Sequence, residues 1–200
     1  MTIFRSLTLS LIFLSSSLFG EEISGEFYSR LSRSGYSMTK QLLVVSVSEQ
    51  KIKVFTNGKL KYSYTISTAK NGIGQEVGSG QTPLGLHRVS EKFGYSSAPD
   101  TIFVGRQSTG RKWVLGSGGD QDLILTRILW LEGLEQGYNA GLNSAGKSVD
   151  SRKRMIYIHG TNHEELLGKP VSKGCIRMEK NDVLAIFERV PNGSLVWIES

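Results

Sequence analysis

Two short alternating segments joined by Asn57-Gly58 constrain the fold of this 200-residue chain more than any other feature. Apolar and polar residues alternate through residues 51–55 before the dipeptide and through residues 59–68 after it. Alternation with a period of two is typical of half-buried strands, and Asn and Gly both tolerate the positive φ angles of a type I′ turn. The sequence therefore predicts a β-hairpin in which apolar residues of the second strand share one face: Leu60, Tyr62, Tyr64 and Ile66.

Further segments along the chain also have the composition of strands. Short apolar or alternating runs occupy residues 42–47, 84–89, 101–104, 112–115, 155–158 and 195–198. Residues 123–131 are apolar at nearly every position. We predict a strand buried on both faces there rather than a short helix, because Ile, Thr and Trp favour strands. The whole pattern predicts a mainly β domain.

One helix is predicted near the end of the chain. Asn181 is a suitable N-cap, and an apolar stripe at helical spacing follows it: Val183, Leu184, Ile186, Phe187 and Val190. A turn at residues 191–193 separates this helix from the last predicted strand. We assign the stripe to the hydrophobic core.

Two polar segments are predicted to be loops. Residues 71–80 contain four glycines, but neither a Gly-Lys-Ser/Thr ending nor a helical pattern follows. We therefore predict a mobile surface loop rather than a phosphate-binding loop. Residues 132–153 form a long polar stretch without periodicity, which is uncommon unless such a loop covers or shapes a site. His87, in a predicted strand, is interpreted as an ordinary exposed or hydrogen-bonded histidine.

The N-terminus has the order of features found in secretory signals. Arg5 precedes an apolar run at residues 7–14, and small residues lead to Gly20. The run is too short for a membrane span, which needs about 20 apolar residues. An N-terminal anchor or a buried helix is the alternative. We predict a signal peptide at residues 1–20, export to the periplasm or cell wall, and no stable membrane span after cleavage.

The rest of the chain is predicted to comprise one short leader and one domain. Residues 21–39 show no clean periodicity, and residues 40–199 have a normal size for one compact domain. The full chain carries 24 basic and 18 acidic residues, a formal charge of +6, which suits an anionic surface such as a cell wall. The basic residues are scattered rather than clustered, so we predict no nucleic-acid partner.

Cys175 is the only cysteine of the chain, so it cannot form an intrachain disulfide. It is therefore a buried structural thiol, an intermolecular link or a reactive group. Gly174 precedes it, a polar loop surrounds it and His159 lies upstream, which favours a reactive nucleophile. A thiol with a pKa of about 8.5 needs a base to become a good nucleophile at neutral pH, and His159 is the candidate base.

Residues 158–178 read IHGTNHEELLGKPVSKGCIRM. The triplet His-Gly-Thr at residues 159–161, followed by Ser-Lys-Gly-Cys-Ile-Arg-Met at residues 172–178, resembles the signature of the YkuD-type L,D-transpeptidases. The resemblance runs from about residue 41 to residue 198 and includes Thr-Pro-Leu-Gly at residues 82–85. It implies a β-sandwich or partly closed barrel with one helix, in the C-terminal half, packed against it.

The resemblance also implies a reaction and the roles of three residues. His159 is the general base, the carbonyl of Gly160 orients it, and Cys175 is the nucleophile, with no cofactor. The implied partners are peptidoglycan stem peptides. Cys175 attacks the amide between the L-centre of a diamino acid and the terminal D-Ala of a tetrapeptide, and transfer to a second stem makes a 3→3 crosslink. Hydrolysis, exchange with a D-amino acid and attachment of a protein to the wall are alternative outcomes, and carbapenems acylate the family.

The residues around Cys175 are candidates for binding substrate or stabilising an oxyanion. They are Ser172, Lys173, Gly174 and Arg177. Backbone amides around Gly174 and Cys175 suit an oxyanion. Arg177 forms an ion pair with an acidic neighbour, binds a substrate carboxylate or braces this loop. Lys173 stands where many members of the family have a second His.

Two other classes of function are alternatives. His159, His163 and Cys175 supply ligand types that zinc accepts, although their spacing matches no zinc motif. His163 is otherwise expected to cap a short helical turn together with Glu164. A cell-wall-binding domain that lacks catalysis is the second alternative, and the Lys173 departure is the feature that supports it.

Overall fold

The computed structural model describes residues 22–115, 117 and 121–200. Over these residues the chain forms ten strands, two α-helices and one 3-10 helix. The strands are β1 Gln41–Ser46, β2 Lys51–Thr56, β3 Lys59–Ser67, β4 Gly85–Phe93, β5 Thr101–Val104, β6 Gln107–Lys112, β7 Ile124–Gly133, β8 Tyr157–Gly160, β9 Ile176–Met178 and β10 Leu195–Glu199. The helices are α1 Gly25–Ser34 and α2 Lys180–Arg189, and the 3-10 helix covers Glu164–Leu166. The predicted signal peptide lies outside the described residues.

Eight of the strands close into a barrel. Around the ring the order is β4, β10, β1, β2, β3, β9, β8 and β7, and a pairing between β7 and β4 completes it. β5 and β6 extend the sheet beyond β7. The pairs β1–β10 and β8–β9 are parallel, whereas the other pairs of the ring are antiparallel. The barrel confirms the predicted mainly β class.

Strand β1 is apolar on both faces because both faces are covered. Leu43 and Val45 face the main core, which also contains residues of α2. Leu42 and Val44 face the other way and join an outer cluster with Trp197 of β10 and residues of α1. A strand covered on both sides reads as a continuous apolar run instead of an alternating one.

The predicted hairpin forms between β2 and β3. Asn57-Gly58 has φ angles of 51° and 73°, as a type I′ turn requires. A bulge shifts the register of this ladder, and Leu60 packs in the outer cluster while Tyr64 and Ile66 pack in the main core. The prediction of one shared face is therefore wrong for Leu60, because an extra residue at the bulge reverses the side-chain alternation.

Helix α2 packs against β7 and β8. Four residues of the predicted stripe are buried in the main core: Val183, Ile186, Phe187 and Val190. Leu184 is only half-buried. The N-cap is Glu179, whose carboxylate accepts hydrogen bonds from the amides of Asn181 and Asp182. The predicted cap at Asn181 is therefore wrong by two positions, because the acidic side chain just before the helix binds its first amides.

Helix α1 lies in the segment predicted to be a leader without periodicity. The hydroxyl of Ser24 accepts a hydrogen bond from the amide of Phe27, and Gly35 ends the helix in the left-handed conformation with φ 75°. Phe27 and Leu31, one turn apart, are buried, and Phe27 packs edge-to-face on Trp197 with ring centroids 5.9 Å apart. The structure therefore has a second helix that was not predicted. The boundary between leader and domain stays a prediction.

The strand predicted at residues 112–115 is misplaced. The chain instead forms β6 at Gln107–Lys112, because Gly105 and Arg106 turn it back on β5 with φ angles of 55° and 70°. In contrast, β7 confirms the choice of a strand over a helix for residues 123–131.

The long loop after β7 reaches β8 without a helix or a further strand of the barrel, as predicted. It packs on the glycine-rich loop at residues 71–80, where the amide of Val77 donates to the carbonyl of Ser148 at 2.9 Å. None of the helices described here is long and apolar enough to cross a membrane.

Candidate active site

The parallel pair β8–β9 brings the predicted histidine and cysteine segments together. In its register Ile158 lies opposite Ile176, and His159 lies opposite Arg177. The two isoleucines face the main core, so His159, Arg177 and the preceding Cys175 lie on the other face of the sheet. Cys175 immediately precedes β9 and is a diagonal neighbour of His159 on that face. Diagonal neighbours in a sheet lie about 7–8 Å apart, within reach of aromatic side chains. Residues 16 positions apart in sequence are thus neighbours in the fold.

His159 is buried and fixed by the next residue. Its Nδ1 lies 2.8 Å from the carbonyl oxygen of Gly160. A carbonyl only accepts, so Nδ1 carries the proton and Nε2 holds the lone pair of the neutral ring. Burial lowers the pKa of His159, the Gly160 carbonyl and Asp122 oppose this effect, and Arg177 adds to it. The imidazole is therefore neutral at neutral pH and suited to accept a proton at Nε2.

A bulge in β7 presses against Gly160. The ladder between β7 and β8 shifts between Leu125 and Ile128, and Thr126 within the shift has φ 71°. A Cβ on Gly160 would lie 2.8 Å from the Leu125 carbonyl and 3.1 Å from the Thr126 Cβ. Only glycine fits this close approach. No sequence pattern signals the positive φ of Thr126, a conformation that is rare for a β-branched residue.

Cys175 is half-buried, and two backbone groups surround its sulfur. The amide of Tyr157 donates to Sγ at 3.4 Å, and Sγ donates to the carbonyl of Met155 at 3.4 Å. Burial raises the pKa of the Cys175 thiol to about 11, with Asp122 acting in the same direction, while the Tyr157 amide and two nearby arginines oppose the increase. The resting side chain is therefore a thiol rather than a thiolate.

The loop before Cys175 is fixed by internal hydrogen bonds. The buried hydroxyl of Ser172 donates to the Cys175 carbonyl at 2.6 Å and accepts from the Gly174 amide at 3.2 Å. Thr82, which was not singled out as a site residue, donates its hydroxyl to the Gly174 carbonyl at 3.1 Å. Two of the residues expected to bind substrate or an oxyanion, Ser172 and Gly174, thus bind each other.

Gly174 also has a conformation that other residues avoid. Its φ is 133°, and a Cβ there would lie 3.2 Å from the carbonyl oxygen of Gln81 and 3.3 Å from a methyl group of Ile156. A side chain at this position would strain the backbone that carries the sulfur. The backbone immediately before Cys175 is therefore tightly packed.

Arg177 forms the ion pair that was one of its predicted roles. Its guanidinium contacts the carboxylate of Asp122 and donates to the carbonyl of Val171 at 3.3 Å. The Arg177 Nε is buried and has no hydrogen-bond partner among the residues that the structure describes. Sequence reasoning did not find Asp122, because 55 positions separate the two partners.

Arg154 is a second residue that the sequence did not single out. Its guanidinium donates to the carbonyls of Gly74, Gln75 and Gln81 at 2.9, 2.8 and 2.5 Å. It therefore ties the glycine-rich loop to the turn that precedes β8, the strand that carries His159. Its charge acts on the sulfur, because Arg154 opposes the increase that burial causes in the pKa of Cys175.

An open cavity of about 690 Å³ lies beside this site. Its walls include Lys173 and Arg177 on the cysteine segment, Lys70, Asp122 and His163. The amide of Lys70 donates to the Ser172 carbonyl at 3.0 Å, which places the two lysines on adjacent backbone segments.

His163 does not cap a helical turn with its side chain. It is the N-cap residue of the 3-10 helix Glu164–Leu166, but its side chain makes no capping hydrogen bond to a backbone amide of that helix. Its ring nitrogens lie 3.2 Å from a carboxylate oxygen of Glu165 and 3.2 Å from the carbonyl of Gln121. Throughout residues 22–115, 117 and 121–200, no three His, Cys, Asp or Glu side chains form a group that could hold a metal ion.

Parts of the chain are similar to curated bacterial proteins. YkuD of Bacillus subtilis (strain 168) is 56% identical over 46 residues, which are 23% of this chain and 28% of that protein. YqjB of the same organism is 51% identical over 45 residues, 22% of this chain and 26% of that protein. The matched stretch thus spans about a quarter of the length of either relative.

Two solved structures are also similar to part of this chain. The L,D-transpeptidase from Mycobacterium smegmatis is 14% identical with a TM-score of 0.48, over 80% of this chain and 59% of that chain. L,D-transpeptidase 3 from Mycobacterium tuberculosis is 16% identical with a TM-score of 0.49, over 80% of this chain and 61% of that chain. The chain covers less than two thirds of either protein. Similarity at this level supports no conclusion about function.

The family comparison covers far more of the sequence. Residues 40–198 match the YkuD family, described as the L,D-transpeptidase catalytic domain. The match includes β8, β9 and the loop that precedes Cys175. The chain belongs to the YkuD family of L,D-transpeptidase catalytic domains.

Proposed function

We propose that this protein is a cysteine-dependent L,D-transpeptidase that forms 3→3 crosslinks between peptidoglycan stem peptides. Family membership supports the class of enzyme. The observation that best supports the cysteine mechanism is the β8–β9 register, which puts His159 and Cys175 on one face while the Gly160 carbonyl binds Nδ1. The substrate, the type of crosslink and the role of each residue are parts of this proposal.

In the first half of the reaction, the tetrapeptide stem acylates Cys175. Nε2 of His159 takes the thiol proton while the sulfur attacks the carbonyl carbon between the L-centre of the diamino acid and the terminal D-Ala. The S–C bond forms, and the carbonyl oxygen becomes an oxyanion. As this intermediate collapses, the C–N bond breaks and His159 gives the proton to the leaving amine. D-Ala departs, and the stem remains as a thioester.

The surroundings of the sulfur suit the developing negative charge. Arg177 and Arg154 both favour a negative charge at Cys175. A positive charge fixed near an oxyanion in a partly dry site lowers the energy of the transition state without a cost of reorganisation. Since the Gly174 amide donates to Ser172, we assign the oxyanion donor to the amide of Cys175.

In the second half, the amine of another stem attacks the thioester carbon. His159 takes the proton of the amine and passes it to the sulfur as the C–S bond breaks, which restores the resting thiol. Water, a D-amino acid or a wall protein as the acceptor would give hydrolysis, exchange or attachment from the same thioester. These outcomes share one acyl-enzyme and differ only in the molecule that receives the acyl group.

We also propose that the enzyme works outside the cytoplasm, in the periplasm or cell wall. The support is the signal-like order of residues 1–20 and the formal charge of +6. N-terminal sequencing of the protein from the native envelope should give a start close to Glu21. A chain that begins at Met1 in the membrane fraction would contradict cleavage.

Incubation of the purified protein with defined tetrapeptide muropeptides tests the proposed reaction. We expect free D-Ala, a covalent tripeptide–enzyme adduct and crosslinked dimers, all identified by mass. Tripeptide products without dimers would assign hydrolysis as the reaction. Binding to peptidoglycan with neither adduct nor turnover would instead support a wall-binding domain and overturn the proposal.

A further inference from the structure

Two lysines line the 690 Å³ cavity beside the site, Lys70 and Lys173. Arg177 is paired with Asp122, whereas neither Lys70 nor Lys173 forms a salt bridge with any residue the structure describes. Both side chains are exposed on the cavity wall. The hydrogen bond from the Lys70 amide to the Ser172 carbonyl keeps the two backbone segments adjacent. The cavity therefore has an excess of positive charge.

This cavity lies on the histidine side of the sulfur. Arg177, which lines it, is the neighbour of His159 in the β8–β9 ladder. Asp122, which also lines it, binds Arg177. Both charges act on the protonation of His159. A group bound in the cavity is consequently close to the residue that handles protons.

In the proposed reaction, both the leaving amine and the incoming amine exchange a proton with His159. The leaving amine receives its proton from the imidazole, and the incoming amine gives its proton to the same imidazole. The leaving group is D-Ala, which has a carboxylate on the carbon that bears its amine. An acceptor of the same class presents the same two groups to the site.

We propose that Lys70 and Lys173 form a carboxylate subsite, which holds the departing D-amino acid and then an acceptor amine that has a carboxylate on the same carbon. This inference rests on the proposed function and names the acceptor class. Two ammonium groups that form no salt bridge within the described part of the chain can each donate a charge-assisted hydrogen bond to one carboxylate. Recognition of the carboxylate holds the amine toward His159, which favours an α-amino carboxylate over water.

The transfer step balances without a further reactant. The acceptor amine forms a C–N bond to the thioester carbon, and the C–S bond breaks. The proton leaves the amine nitrogen, resides on Nε2 of His159 and reaches the sulfur. The lysines keep their charge throughout.

The acyl-enzyme formed from a tetrapeptide stem allows the second step to be measured alone. We would follow the decay of its mass after addition of D-methionine, or of D-methioninamide, which lacks the carboxylate. The second-order rate constant for D-methionine should fall about tenfold in Lys70→Ala and in Lys173→Ala, and about 100-fold in the double variant, as expected for loss of charged hydrogen bonds. The amide should react slowly and equally with all proteins.

Two controls separate this subsite from general effects. Lys169→Ala removes an equal charge from the same exposed loop, outside the cavity walls, and should react like wild type. Lys173→Arg should restore most of the rate with D-methionine. If the wild type forms no acyl-enzyme, the proposed function fails. If it does, and the lysine variants consume D-methionine as fast as wild type or lose the amide reaction equally, the carboxylate subsite is overturned.

Discussion

The backbone amide of Tyr157 donates a hydrogen bond to the sulfur of Cys175 at 3.4 Å. The sulfur donates its own proton to the carbonyl of Met155 at the same distance. Burial raises the pKa of this thiol to about 11 and lowers the pKa of His159. The resting site therefore holds a neutral thiol next to a neutral imidazole. In the proposed reaction the proton consequently moves as the bond to the substrate forms.

This resting state predicts the pH dependence of alkylation at Cys175. Because the thiolate is the reactive form, the rate constant with iodoacetamide should rise about tenfold per pH unit from pH 7 to about pH 10. Mass spectrometry of the native protein measures this rate. The same protein in denaturant is the control and should level off near the pKa of about 8.5 of a free thiol. A native profile that levels off at neutral pH would contradict a neutral pair.

Replacing the two central residues tests their assignment. Cys175→Ala should abolish muropeptide turnover, and the wild type should gain the mass of one carbapenem that this variant does not gain. His159→Gln keeps a donor for the Gly160 carbonyl but removes the base, so acylation should slow by at least about 100-fold. Circular dichroism and thermal unfolding should show the wild-type fold in both. Turnover retained in Cys175→Ala would exclude the mechanism.

Arg154 is predicted to act on the sulfur by its charge as well as on the glycine-rich loop by its hydrogen bonds. Arg154→Leu should shift the alkylation profile to higher pH and slow carbapenem acylation, because Arg154 opposes the increase that burial causes in the pKa of Cys175. Arg154→Lys should keep most of the profile while lowering the melting temperature, because a single ammonium nitrogen cannot reach all the carbonyls that the two terminal guanidinium nitrogens bind from separate positions.

The exposed Arg111 offers a matched control for the loss of one positive charge. Arg111→Leu should leave both the alkylation profile and the acylation rate unchanged. If Arg154→Leu lowers only the melting temperature and leaves the alkylation profile in place, the residue braces the loop without acting on the sulfur.

Features that depend on neighbouring residues could be predicted from the sequence. The hairpin follows from the positive φ that Asn57 and Gly58 tolerate, and β7 from a run rich in strand-forming residues. The segments of His159 and Cys175 are recognisable because each lies in a short run of residues that resembles a family signature, residues 159–161 and 172–178.

Features that depend on distant partners could not be predicted. Arg154 bonds carbonyls 73 to 80 positions earlier in the chain, and no local pattern signals such a contact. Helix α1 has two buried apolar residues, Phe27 and Leu31. They pack in the outer cluster with Trp197 of β10, and this packing stabilises the helix. A short helix of this kind depends on tertiary packing rather than on its own propensity.

His87 in β4 provides the last prediction, on stability in acid. It is fully buried. Nδ1 donates to the carbonyl of Gly85 at 3.0 Å, which leaves Nε2 to accept from the hydroxyl of Ser151 at 2.9 Å. Burial lowers the pKa of His87 to about 4, against the effect of the Gly85 carbonyl, and Arg154 lowers it further.

Acid should therefore destabilise the fold through His87. His87 in the unfolded chain has a pKa of about 6.5. Above this pH neither state binds the proton, and the native contacts of His87 contribute fully to the free energy of unfolding. As the pH falls from about 6.5 to about 4, only the unfolded chain takes up the proton, so the free energy of unfolding drops by on the order of 3 kcal/mol. His87→Asn keeps a donor for Gly85 but does not titrate. Urea unfolding at about pH 7, 5.5 and 4.5 should show the advantage of wild type over this variant shrinking steadily, because acid removes only the wild-type contribution. A constant difference across these conditions would mean that His87 takes up its proton equally well in the folded protein.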